Sequence, residues 1–441
     1  MREWNKIKVG EFLFERAGKY KADAEEIIGL KRIDKIDFSG NFHIAQKPSK
    51  TNMILIKPGD LVISGINVAK GAMGIYGGNE DVTATIHYSS YTFDKDQISV
   101  EYFKRFLRSP EFIKLLKEQV KGGIKTEIKP KHLSPLKISL PTLEKQQDIA
   151  SHFQKFESGK DKLKNEITHQ QTLLKKLRQQ ILQEAIQGEL TTDFWAQNPD
   201  IEPAGELLAR IKAEKEKLIK EKKIKKQKPL PPISEEEKPF ELPEGWVWCR
   251  LGDLSINSLG KMLDKQKNKG ILKPYLRNFN VQWYNVNIEN LKKMPFEEHE
   301  TEKYSVRKGD IIICEGGYPG QAAIWNENYQ IMFQKALHRV RFISSCYVSE
   351  LFVHLLWLWD SNKEIHEYFT GAGIKHLTSK SLNRMMIPLP SLLEQKIIFT
   401  KVEKLLAICD QLETQITTDQ THTEQLMQAV LKEAFSQSGE A

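Results

Sequence analysis

The chain contains its own pattern twice. Near the start stands Trp4-Asn-Lys-Ile-Lys-Val-Gly10-Glu-Phe12, and it returns as Trp246-Val-Trp-Cys-Arg-Leu-Gly252-Asp-Leu254. Lys57-Pro-Gly59-Asp60-Leu-Val-Ile63 reappears as Arg307-Lys-Gly309-Asp310-Ile-Ile-Ile313, and Gly123-Ile124-Lys125 as Gly373-Ile374-Lys375. Leu140-Pro141-Thr-Leu143 with Gln146 matches Leu389-Pro390-Ser-Leu392 with Gln395. Four matches in one order, at offsets drifting only between 242 and 250 residues, mark a duplicated module of about 190 residues. A duplicated chain of 441 residues is too long for one ordinary core and calls for two or three domains.

Each copy has two parts. The first, 1–141 or 246–390, mixes strand and helix signals. Gly-Asp followed by Leu-Val-Ile or Ile-Ile-Ile reads as a turn entering a buried strand, and 101–117 and 349–369 read as amphipathic helices. The second part is a long helix with an alternating four-three apolar spacing. In the first copy the stripe is Ile149, Phe153, Phe156, Leu163, Ile167, Leu174, Leu177 and Ile181, interrupted at Lys160 and Gln170; in the second it is Ile398, Val402, Leu405, Cys409, Leu412, Ile416, Leu426 and Val430, with Asp419 and Thr423 off pattern. Such a stripe calls for a coiled-coil partner, the nearest being the other copy, or else for packing onto its own globular part. About 40 residues at 1.5 Å each give a rod of roughly 60 Å.

Between the copies, 191–245 changes character. Ten basic residues lie from Arg210 to Lys228, then Pro229, Pro231 and Pro232, then Glu235-Glu236-Glu237. Two readings stand: contact with a nucleic acid, or a solvated linker helix partly neutralised by Glu214, Glu216 and Glu221. The net charge of +8 favours a polyanionic partner, although one lysine run could supply most of it.

Catalytic patterns are thin. There is no G-x-x-x-x-G-K-[ST], H-E-x-x-H or G-x-S-x-G. Cys249, Cys314, Cys346 and Cys409 form no C-x-x-C pair, which excludes a zinc ribbon and points to free thiols in a reducing cytoplasm. Phe369-Thr-Gly371-Ala-Gly373 superficially resembles the F-x-G-x-G loop of adenine methyltransferases, but it follows a helix-like segment and belongs to the repeat. Asp96 with Glu127 and Lys129 loosely fits a metal-dependent nuclease, yet its counterpart in the second copy lacks both late groups. No apolar run approaches the roughly 20 residues of a membrane span. Met1–Gly18 is too charged for a secretory signal.

What remains is binding chemistry. Lys47, Lys50, Asn67 and Lys70 stand near turns of the first module, and Lys261, Lys265, Lys267 and Lys269 precede Tyr275-Leu-Arg277-Asn278-Phe-Asn280-Val-Gln282 in the second. Lysines engage phosphates; Arg, Asn and Gln can pair with base edges in the major groove. The candidate DNA contacts are therefore Lys47, Lys50, Asn67, Lys70, Lys261, Arg277, Asn278, Asn280, Gln282, Gln321, His338 and Arg339.

Taken together, these segments resemble the specificity subunits of type I restriction-modification systems. Leu242-Pro-Glu-Gly245 into Trp246–Leu254, Pro274-Tyr-Leu-Arg277 with Asn280-Val-Gln282, Gly316-Gly-Tyr-Pro-Gly320, Gln334-Lys-Ala-Leu-His338-Arg339, and Glu394-Gln395-Lys396 carry the likeness. So do Gln187-Gly-Glu-Leu190 and Glu202-Pro-Ala-Gly-Glu-Leu-Leu208 in the linker. The resemblance implies an α+β chain: recognition domain 1–141, spacer helix 142–190, charged linker 191–245, recognition domain 246–390 and spacer helix 391–441. It further implies that the helices pair antiparallel with pseudo-twofold symmetry and that each domain reads one half of a split double-stranded DNA site. The chain would be non-catalytic and bind no cofactor or metal. Its partners would be two methyltransferase subunits bringing S-adenosylmethionine and two restriction subunits bringing ATP and Mg, in the cytoplasm. The alternatives are a coiled-coil DNA-binding or adaptor protein outside restriction-modification, or a chain with its own methyltransferase or nuclease activity.

Overall fold

The repeated Gly-Asp turn folds alike in both copies. Gly59 and Gly309 adopt φ of +88° and +87°, where a side chain would be strained, and each turns the chain into a strand buried along its whole length, Leu61–Ser64 or Ile311–Cys314. The computed structural model describes residues 4–45, 51–65, 72–109, 112, 114–115, 133–264, 266 and 268–435. They form two compact units, Met1–His169 with Ile416–Ala441, and Gln170–Gln415.

In the first unit, Asn5–Lys8 pairs antiparallel with Lys137–Leu140, closing the module's two ends on each other. The central sheet has the order Leu13–Glu15, Tyr88–Phe93, Leu61–Ser64, Met73–Ile75. The helix Val100–Phe106, capped by the Ser99 side chain, packs Tyr102, Phe103 and Phe106 against Phe12 and Phe112. The second unit repeats the plan: Val247–Arg250 pairs with Met386–Leu389, and the sheet runs Ser255–Leu259, Leu337–Phe342, Ile311–Cys314, Ala322–Ile324. Its helix Ser349–Ser361 is buried on most sides. It stops short of the expected Phe369, because Lys363 takes φ of +68° and a 3-10 turn follows over Glu364–Tyr368.

The repeated glutamine is the joint between each module and its long helix. Gln146 Oε1 accepts from Ser99 N at 2.9 Å while its Nε2 donates to Pro141 O at 2.9 Å. Gln395 Oε1 accepts from Val348 N at 2.9 Å, and its Nε2 donates to Cys346 O and Pro390 O at 3.2 and 3.1 Å. Both amides are buried and bonded through oxygen and nitrogen alike.

The long helices are Leu143–Gln187 and Leu392–Phe435. Within the first unit, Ile149 and Val430 pack against a core that includes Ala150 and Phe153, Ile167 and Ile416 are buried, and Phe156 is half-buried. Within the second unit, the two helices run antiparallel: Arg178 meets Asp410 and Glu413, and Lys401 donates to Leu190 O at 2.7 Å. Leu174, Ile181, Ile398, Val402 and Cys409 are buried and Leu405 is half-buried. Four stripe residues fall outside this seam. Leu163, Leu177, Leu412 and Leu426 are 43–55% exposed. Beside the exposed Leu177 and Leu412, Arg178 joins the two helices through an ion pair at 2.6 Å from Asp410 and 2.9 Å from Glu413.

The segment expected to be a charged linker is ordered. Ala204–Lys220 is a helix whose Ala204, Leu207 and Ile211 are buried in the second unit's core. Each fully buried Leu or Ile contributes about 1.5–3 kcal/mol, enough to hold one face down while the charged face stays wet. Among the described residues no helix is long and apolar enough to cross a membrane.

Asp310 anchors its turn by accepting from Arg341 Nε and Nη2, both at 2.6 Å, and from Arg307 N at 2.8 Å. Asp310→Ala should strand the nearly buried guanidinium and destabilise the second unit by about 3–5 kcal/mol in urea titration. Glu302→Ala, which removes an 87% exposed carboxylate 3.5 Å from the same arginine, should change little.

Candidate nucleic-acid interface

Four loops meet at one edge of the second unit's central sheet. Cys314 Sγ lies 3.8 Å from Asn278 O, and Asn278 Nδ2 donates to Gly316 O at 3.3 Å. Glu315 N donates to Ala336 O, and Leu377 N to Glu315 O, each at 2.8 Å. Thr370 and His376 exchange both backbone bonds and close the 370–376 loop on itself. The 316–320 loop needs its glycines: Gly317 has φ of +82°, and a Cβ there would stand 2.6 Å from Asn278 Nδ2. These bonds gather segments 277–280, 315–321, 334–336 and 370–376 onto one face.

The face is apolar at its tips and basic around them. Phe279, Tyr318 and Ile374 are 72, 75 and 74% exposed, far more than isolated aromatic and aliphatic side chains need be. Lys335, Lys375 and His376 are exposed beside them. Arg277 stacks its guanidinium 5.6 Å above the Phe279 ring and donates to Asn290 O at 3.1 Å, so the arginine is held in place yet partly accessible. Aromatic tips with cations and hydrogen-bonding groups suit a partner with stacked rings and phosphates.

The sequence candidates divide sharply. Arg277, Asn278 and Gln321 are half-buried on these loops, and Gln282 is exposed on the short strand Val281–Gln282. Lys261, Asn280, His338 and Arg339 are corrections, since all four are buried and committed within the chain. Lys261 Nζ pairs with Glu300 at 2.5 Å and with Pro295 O at 3.0 Å. Asn280 accepts from Arg277 N and donates to Asn287 O. Arg339 donates to Ser305 O at 2.5 Å and Glu302 O at 3.1 Å, and burial lowers its pKa to about 10. His338 Nε2 is 2.7 Å from Leu377 O; a carbonyl only accepts, so Nε2 carries the proton, and burial lowers the ring's pKa. These side chains are committed to bonds within the second unit. Lys47, Lys50, Asn67, Lys70, Lys265 and Lys267 lie outside the described residues, as do Gly123-Ile124-Lys125, Glu127 and Lys129.

The apolar tips were not among the sequence candidates. Gly-Gly-Tyr-Pro-Gly320 was the available signal, because flanking glycines with positive φ turn a tyrosine outward. The F-x-G-x-G look-alike falls in the self-closed 370–376 loop, after a 3-10 turn rather than a strand. Among the described residues no three His, Cys, Asp or Glu side chains gather as a metal site, and all four cysteines are free and buried.

Comparison with known proteins points the same way. Residues 243–419 match the model of the type I restriction modification DNA specificity domain. The type I restriction enzyme EcoAI specificity subunit of Escherichia coli is 35% identical over 251 residues, which is 55% of this chain and 41% of that relative. The chain thus matches about two fifths of the curated relative's length. Among solved structures, one titled for complex assembly and conformational transition of the type I R-M system covers 99% of this chain and 98% of its own at 14% identity and a TM-score of 0.65. The HsdS subunit from Thermoanaerobacter tengcongensis covers 98% of this chain and 96% of its own at 16% identity and a TM-score of 0.52. Those two likenesses are of fold. Residues 243–419 thus match a type I specificity domain, and over 251 residues the chain is similar to a type I restriction enzyme specificity subunit.

Proposed function

We propose that this chain reads a bipartite, asymmetric double-stranded DNA site, one half per module, and directs methyltransferase and restriction subunits to it. The observation that carries this is a repeated scaffold bearing unlike sequences: the same strand order and the same Asp and Gln joints recur, while Arg277–Gln282 and Gly316–Gln321 have no close match in the first copy. In the second module the loop face with Phe279, Tyr318, Arg277 and Lys375 meets the DNA, and Asn278, Gln282 and Gln321 flank it. In the first module Lys47, Lys50, Asn67 and Lys70 take the corresponding part. The chain itself does no chemistry: two methyltransferase subunits bring S-adenosylmethionine, and two restriction subunits bring ATP and Mg. The domain limits 1–141, 142–190, 191–245, 246–390 and 391–441 then correspond to reader, ruler, link, reader and ruler. The work takes place in the cytoplasm, where the DNA is.

Mapping methylated adenines across the host genome, with the chain intact and deleted, should show the loss of one split motif; unchanged methylation would count against the reading. Tyr318→Ala and Phe279→Ala should weaken methylation at the intact motif about tenfold to a hundredfold, in line with about 1–3 kcal/mol per base contact. Relaxed sequence preference should appear in one half-site only, and relaxation of both halves would refute modular readout. Inserting one heptad into Leu143–Gln187 should lengthen the unread spacer or abolish activity, as read from the same methylation map.

A further inference from the structure

The loop face leaves one strongly charged feature unused. Between 217 and 228 lie seven lysines and one glutamate, a net +6 against +8 for the whole chain. The remainder is close to neutral, so long-range attraction for a polyanion arises mainly here.

The stretch is not a free tether. Lys215 donates through Nζ to Gly252 O, to Ser255 O at 3.2 Å and to Gln227 Oε1 at 3.2 Å, which draws the stretch onto the second module. Just beyond it, the buried Arg250 guanidinium donates to Pro231 O at 3.4 Å and Pro232 O at 3.3 Å and grips Glu237 at 2.8 Å. The same guanidinium donates to Arg384 O at 3.0 Å. The lysines therefore sit beside the helix Ser379–Arg384, whose Lys380 and Arg384 are exposed and which follows directly on the 370–376 loop of the loop face.

Three of the nearby acids are already engaged. Glu221 takes Lys223 at 2.8 Å, Glu214 takes Ser344 Oγ at 2.5 Å and Glu237 takes Arg250. Lys222, Lys225, Lys226 and Lys228 are exposed, with no ion pair to a carboxylate among the described residues.

We propose that this pinned lysine track binds the phosphate backbone of duplex DNA beside the half-site faced by the second module's loops. It supplies affinity that does not depend on base sequence. The inference rests on the DNA-recognition reading above. Lysine is a compact point charge without the fork that reads guanine, so the track holds DNA and leaves the choice of bases to the loops.

Each phosphate neutralised on duplex DNA contributes about 0.9 to the slope of log affinity against log salt. The full-length chain is titrated by fluorescence anisotropy with a long random-sequence duplex across a salt series. In the variant Lys222→Gln/Lys225→Gln/Lys226→Gln/Lys228→Gln the slope should fall by about two to four. Its mapped methylation motif should stay the same. The control Lys292→Gln/Lys293→Gln/Lys308→Gln, which removes charges from the edge strand Lys292–Phe296 and from the Gly309 turn, should keep the slope. An unchanged slope in the track variant, or an equal loss per lysine in the control, overturns the track and leaves DNA recognition standing. Failure of the unaltered chain to bind the duplex at low salt overturns both.

Discussion

Each module hangs on one buried carboxylate. Asp60 and Asp310 are 3% and 2% exposed, and a carboxylate removed from water to that degree persists only if its oxygens are fully occupied. Asp60 receives Arg16 Nε at 2.6 Å and Nη2 at 2.8 Å, Ser90 Oγ at 2.8 Å and Lys57 N at 2.9 Å. Asp310 receives Arg341 and Arg307 N. The arginines come from different strands: Arg16 follows Leu13–Glu15, whereas Arg341 lies within Leu337–Phe342. The carboxylate and its glycine turn persist in both copies, while the donor has moved to another strand. A lock of this kind holds the central strand in register and leaves the loops beyond it able to differ.

The second constraint is how a long helix is fastened to a module. Gln146 and Gln395 each bridge the start of a long helix to the start of the module's own helix, through one acceptor and one amide donor. Glutamine suits the task because its two ends satisfy an N–H and a carbonyl at once without a charge to desolvate. Farther along, a pattern chosen only for apolarity selects Leu177 and Leu412, whereas the contact in the second unit is made by Arg178 with Asp410 and Glu413. An arginine can bury its aliphatic stem on a helical seam and place its guanidinium at the edge, so a contact between the helices need not be apolar.

Polar residues that look like base readers turn out to be supports. Lys261, Asn280, His338 and Arg339 hold backbone carbonyls and turns inside the second unit, while Phe279, Tyr318 and Ile374 present the tips of the loop face. A sequence marks a residue as polar but not as solvent-facing. The lysine stretch is the converse case: its charge was evident, and its relation to the second module depends on Lys215 and Arg250, which lie outside it or on another strand.

The sequence by itself determined the duplication, the extent of the two modules' repeat, the Gly-Asp turn into a buried strand and the presence of two long helices. These depend on local spacing, on glycine's access to positive φ and on apolar periodicity, all of which operate over a few residues. Tertiary structure decided which stripe positions face inward, that the segment after the first long helix packs as part of the second unit, and which polar side chains reach solvent. Those outcomes depend on contacts between residues far apart in the chain, such as Arg250 with Glu237 and Arg384, or His338 with Leu377. There, desolvation and the pairing of buried polar groups outweigh local preference.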